Sequence, residues 1–169
     1  MCRDWQAGGV PRRCHHLVVV VIVTMLGVAM IACGADRVVC DVPRQEAPDP
    51  ASGLHLLDDA EIRWAADPPT SGPHRSVAPD GGLRDEPPNE LDQVAFLEAG
   101  GVVVLVSTRT VPDELAALAG PRVLVAPGRP DLPDEVVATA WTWRLRCSAL
   151  DVEPVRTFIA DRLGAHSGH

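Results

Sequence analysis

An uncharged run of seventeen residues, Leu17 to Cys33, stands behind a basic stub and constrains everything that follows it in this chain. Thr24 is its one strongly polar side chain. The run sits at the lower edge of a membrane span and just above an ordinary signal h-region in length. Arg3, Arg12 and Arg13 precede it against the single acid Asp4, whereas Asp36, Arg37 and Asp41 follow it. Positive charge therefore holds the N-terminal side, and the rest of the chain is expected outside the membrane. A buried core helix is the competing explanation, but the run has no polar face and begins close to the chain end.

The run closes as Val28-Ala29-Met30-Ile31-Ala32-Cys33-Gly34, which resembles a bacterial lipoprotein cleavage box, with Met30 in place of the usual Leu. Lipidation of Cys33 and an uncleaved signal anchor are the two alternatives. The Arg12-Arg13 pair is superficially like a twin-arginine signal, but Cys14-His15-His16 does not continue that pattern. Cys2 and Cys14 belong to the stub. With Cys33 lipidated, Cys40 and Cys147 are an even pair in an oxidising compartment, and a disulfide between them is expected. No C-x-x-C offers a zinc ribbon or a thioredoxin-type motif.

Four segments follow: a signal or anchor over 1–33, a Pro-rich linker over 34–53, one globular domain over 54–165, and a frayed tail over 166–169. The 137 residues beyond Ala32 are enough for one domain of ordinary size. The whole chain carries a formal charge of −8, and no Lys occurs in it. So acidic a chain has no electrostatic footprint for DNA, RNA or anionic lipid headgroups.

Nine of the sixteen prolines fall between 43 and 88, so the first part of the domain reads as loop-rich, with a short strand expected over Glu61 to Ala65. Gly101 to Ser107 is a continuous β-branched run, the pattern of a central strand buried on both faces. Thr110-Val111-Pro112-Asp113 reads as a helix start, and Gly120-Pro121 as the stop of a helix from Pro112 to Ala119. Arg122 to Ala126 reads as a strand. Val136 to Cys147 alternates as one long strand, with Trp141 and Trp143 on the same face. A last helix is capped by Asp151 and carries Val152, Val155, Phe158, Ile159 and Leu163 at helical spacing. The fold class expected is α+β, a small mixed sheet with two or three helices packed on it.

Pro68-Pro69-Thr70-Ser71-Gly72-Pro73-His74 is similar to the signature of a bacterial domain-of-unknown-function family, numbered 3105 and common in actinobacteria. His55 with Trp64, Leu97-Glu98 with Gly100-Gly101-Val102, Thr139-Ala140-Trp141, and Phe158-Ile159 resemble further family segments in the family's order. The resemblance implies an exported, membrane-associated domain with no established activity. The family's His-Ser-Leu-Glu-His is here Ala95-Phe96-Leu97-Glu98-Ala99, so both of its histidines are absent.

The candidate site residues are few. Ser71, Gly72, His74 and Glu98 are a candidate ligand-binding set, weighed against a rigid turn in which His74 caps a neighbouring carbonyl. Ser71 and His74 lack the G-x-S-x-G elbow of a nucleophile. Two imidazoles at positions 95 and 99, on a helix capped by Asn89, would suit a metal, whereas His55 and His74 alone are too few without carboxylate help. No cofactor and no stoichiometric metal is therefore expected, and catalytic residues are not assigned. Trp141 and Trp143 read as core rather than platform. The function expected is a non-catalytic binding or scaffolding domain on the outer side of the cell membrane, tethered through the N-terminal segment or its lipid, with a protein partner at the cell surface. Metal-dependent activity built on His55, His74 and Glu98 is the alternative.

Overall fold

The β-branched run becomes the centre of the sheet. In the computed structural model, which describes residues 39–56 and 62–166, Val102–Val106 forms a strand buried along its whole length. Six strands surround and include it: β1 (Arg44–Gln45), β2 (Gly82–Leu83), β3 (Val102–Val106), β4 (Val123–Pro127), β5 (Val136–Ala140) and β6 (Trp143–Cys147). Their order is β1-β6-β5-β3-β4-β2. β3 runs parallel to β4 and antiparallel to β5, and β2 adds to β4 in parallel, so the sheet is mixed. With helices α1 (Glu90–Glu98), α2 (Asp113–Ala116) and α3 (Val152–Arg162), this is the expected α+β fold.

Alternation along the strands sorts two cores. Val102, Val104, Val106, Val123, Val125, Val136, Ala138 and Leu145 meet Leu115 of α2 with Val155 and Phe158 of α3 on one face. Val103, Leu105, Leu124 and Ala126 meet Phe96 and Leu97 of α1 on the other. Both faces are covered, which is why the strands are apolar runs rather than alternating ones.

The helix ends follow from local chemistry. Asn89 accepts from the Leu91 N–H, and Glu90 and Asp92 lie in the first turn where the helix dipole favours acids. At the other end, Gly100 (φ +81°) takes the left-handed conformation, with Gly100 N–H donating to Leu97 O and Gly101 N–H to Phe96 O. This Schellman-type closure leaves Glu98 in the last turn. Asp151 caps α3 as expected, accepting from Glu153 N–H. α2 is shorter than Pro112 to Ala119: it spans Asp113–Ala116, its N-cap is Pro112 with no side-chain bond, and Thr110 caps nothing. The carbonyl of Thr110 accepts from Thr108 Oγ1 instead.

Three sequence expectations need correction. Val136 to Cys147 is not one strand but the β5–β6 hairpin, turning at Trp141 and Thr142 with Ala140 opposite Trp143. Thr142 sits at φ +60°, a conformation rare for a β-branched residue, and the absence of Gly, Asn or Asp hid the turn. In consequence Trp141 packs with the α1-side core and Trp143 with the α3-side core, on opposite faces. Residues 62–65 form no strand; Glu61 lies outside the described residues.

The described part of the Pro-rich segment is no free spacer. Arg44 and Gln45 pair antiparallel with Arg144 and Trp143, Glu46 forms an ion pair with Arg144, and Cys40 is disulfide-bonded to Cys147. The disulfide closes a loop of 107 residues between the first described segment and the sheet, a constraint on the unfolded chain worth about 2–4 kcal/mol. Among the described residues no helix is long and apolar enough to cross a membrane. The apolar run, Cys33 and residues 167–169 lie outside them.

Candidate metal centre

Pro68 to His74, read in the sequence as a rigid turn, is buried throughout. Several of its polar groups find partners on distant elements. Thr70 Oγ1 donates to Glu46 Oε2 at 2.9 Å, and the Thr70 carbonyl accepts from Thr142 N–H at the hairpin turn. Gln93 of α1, itself 2% exposed, donates to Pro69 O at 3.0 Å. Ser71 Oγ accepts from Asp49 N–H at 2.8 Å, which ties the loop to the segment before it. Burial of the segment is affordable because these bonds replace water.

Gly72 leaves no room for a side chain. Its φ is +132°, and a Cβ there would meet Trp64 Cε3 and Cζ3 at 2.9 Å. The Trp64 ring is in turn anchored by its Nε1–H donating to Glu90 Oε2 at 2.7 Å. Gly72→Ala is therefore expected to cost about 1–3 kcal/mol, through both the backbone conformation and the ring clash. Gly53→Ala, with open space around the added methyl group, is expected to leave the urea midpoint unchanged. Equal midpoints for the two variants would contradict the account of Gly72.

The carbonyl of Gly72 fixes the proton of His74. It lies 2.8 Å from His74 Nδ1. A carbonyl only accepts, so Nδ1 carries hydrogen and donates. This is the turn-capping role expected of His74, and it leaves Nε2 to do something else. Nε2 is fully buried, lies 2.6 Å from Glu98 Oε2, and yet makes no directed hydrogen bond. With hydrogen on Nδ1 alone, the Nε2 lone pair faces a carboxylate lone pair, a repulsive contact that a proton on Nε2 or a metal ion bound by both groups would relieve.

His55 completes the group. A parallel bridge joins His55 to His74, with Leu56 N–H donating to His74 O at 2.8 Å and His74 N–H donating to Leu54 O at 3.0 Å. The bridge sets the two imidazoles side by side, edge to face with centroids 4.9 Å apart. One ligand atom each from His55, His74 and Glu98 lies within 4.8 Å of the others. A tetrahedral ion with ligands at about 2.0–2.1 Å wants them about 3.4 Å apart. His74 is held by Gly72, whereas His55 is exposed and the Glu98 side chain 22% exposed; Glu98 Oε2, 2.6 Å from Nε2, has to draw back for an ion to enter.

The positions read as missing histidines are now placed. Ala95 is buried at 3% exposure, while Ala99 is the exposed C-cap of α1, so the two do not share an environment. The third donor comes from the carboxylate of Glu98 instead. Sequence reasoning missed His166, which had been assigned to a frayed tail; its ring stacks on Trp141 at 4.9 Å and 11°. Trp141 stands edge-on to His74 at 6.2 Å and so separates the two histidines.

Residues 55–168 match the family described as Protein of unknown function (DUF3105). No curated protein and no solved structure matches the chain.

Proposed function

We propose, from the premise that this chain belongs to the DUF3105 family, that its domain is an extracytoplasmic binding domain for a divalent transition metal, held by His55, His74 and Glu98. The observation that carries the reading is His74 Nε2, buried and without a directed hydrogen bond 2.6 Å from a carboxylate oxygen. Two imidazoles and a carboxylate are a donor set that zinc accepts, and the second-shell carbonyl on Nδ1 is what a metal-ligating histidine ordinarily has. His55 is exposed and Glu98 Oε2 belongs to a side chain 22% exposed, so a bound ion keeps positions for water and exchanges with solvent. The sheet core and the disulfide supply the fold, so the role of the ion is to be bound and not to hold the domain together.

Calorimetric titration of the chelator-treated full chain with zinc tests this. One ion per chain is expected, with protons released only to the extent that His55 or His74 was charged. Absence of saturable heat for zinc, copper and cobalt alike would remove the proposal.

The location is part of the same proposal. The basic stub and apolar run favour a tether with residues 54–169 outside, and a Cys40–Cys147 disulfide fits an oxidising compartment. Protease added to intact, wall-stripped cells is expected to degrade the domain. Protection that persists until lysis would place it inside.

A further inference from the structure

A pocket of about 200 Å³ lies where the β5–β6 turn meets the C-terminal ends of α1 and α3. Gly100 and Gly101, Trp141 and Trp143, Arg162 and His166 are among its lining, and none of the three metal-centre residues is. Two flat nitrogen-bearing groups are stacked on its indoles. The His166 ring lies parallel to Trp141, and the Arg162 guanidinium sits 3.5 Å above the centre of the Trp143 ring.

Arg162 is the group the fold leaves unanswered. Its Nε is buried with no hydrogen-bond partner, and among the described residues the guanidinium makes no ion pair. Stacking on Trp143 uses the face of the guanidinium, not its in-plane N–H donors. A buried donor without an acceptor costs free energy, and an acceptor that drew the guanidinium toward the pocket would recover it. Among the described residues no Asp or Glu lines the pocket, although the chain as a whole carries −8, so Arg162 favours an anion there against the overall charge. The space holds about six waters, enough for a carboxylate on a body the size of a benzene ring.

We propose that this pocket binds a small organic carboxylate, with Arg162 as its forked donor and the indoles of Trp141 and Trp143 against its apolar body. A forked guanidinium matches the planar carboxylate in geometry, and flat aromatic walls favour it over a tetrahedral anion. The site is distinct from the metal centre, none of whose three residues lines it.

The test is an NMR titration of the isotope-labelled full chain with benzoate and, separately, with inorganic phosphate. Saturable movement of the Arg162 Nε–H resonance with benzoate, and none with phosphate, is the expected result. Movement with phosphate but not benzoate, or with neither, would overturn the assignment without recourse to any variant. Arg162→Gln is expected to weaken benzoate roughly tenfold to a hundredfold. Arg162→Lys keeps the charge but loses the fork, so it should recover only part of that loss; full recovery would show that charge alone is read, and would sink the forked geometry.

Discussion

His74→Ala is expected to lower zinc affinity at least about a hundredfold, more than loss of a second-shell partner usually does, because it deletes a ligand outright. The variant will lose stability on any reading, since His74 is fully buried and both Gly72 O and Glu98 give up a partner. A lowered midpoint therefore decides nothing. The decisive readout is the difference between metal-free and metal-saturated protein. A ligand that binds only the native state adds about 2.7 kcal/mol of stability when present at a hundred times its dissociation constant. Wild type should show that increment and His74→Ala should not. If His74 is instead an imidazolium paired to Glu98, zinc adds nothing to either protein. If both proteins gain equally, the ion sits elsewhere. Glu98→Gln discriminates further: the amide keeps the shape of the side chain at the end of α1 but is a poor ligand, so it should lose most of the increment with a smaller change in the metal-free midpoint.

Much of the fold was legible because it was written in local patterns. The run from Val102 to Val106 has a β-branched residue at nearly every position, and only a strand covered on both faces uses such a run. Asp151 before Val152, Val155 and Phe158 signals a helix start, and the helix begins there. What failed had no local signature. The β5–β6 turn uses Trp141 and Thr142, so alternation runs through it unbroken and one strand reads as well as two. Arg44 and Gln45 carry no strand pattern; they are a strand because Arg144 and Trp143 are there to pair with and Cys40 is tied to Cys147. The expected disulfide was itself the missed clue, since Cys40 cannot reach a sheet strand unless its flanking segment lies along that strand.

The site was legible in its parts but not in its geometry. His55, His74 and Glu98 stand far apart in sequence, and no spacing rule joins a loop histidine to a carboxylate at the end of a helix. Their convergence depends on the His55–His74 backbone bridge, on Gly72 admitting the Trp64 ring, and on a glycine closure that ends α1 just after Glu98. The heptapeptide reads as a rigid turn because Pro and Gly are turn residues, and a turn pattern does not say whether it is buried. It is buried because Glu46, Asp49, Gln93 and Thr142 satisfy its polar groups, and none of these partners is adjacent in sequence.

The same reasoning places the largest stability effect far from the metal centre. Phe158→Ala is expected to cost about 3–5 kcal/mol, the range for truncating a buried aromatic residue. Phe158 is 1% exposed and belongs to the core formed by α3 with β3, β5 and β6. Val155 is the other residue of α3 that is fully buried, so little else on that helix fills the space. Against a total stability of about 5–15 kcal/mol, such a loss lowers the melting midpoint by roughly 10–15 °C. The consequence extends to the carboxylate pocket, because Arg162 and His166 reach it from the C-terminal end of α3. Near the midpoint of the variant, benzoate binding should therefore fail while zinc binding persists if α3 detaches first, since His55, His74 and Glu98 lie on the α1 side of the sheet. Simultaneous loss of both would show that the two faces of the sheet unfold as one unit. An unchanged midpoint would mean that α3 does not pack on the sheet through Phe158.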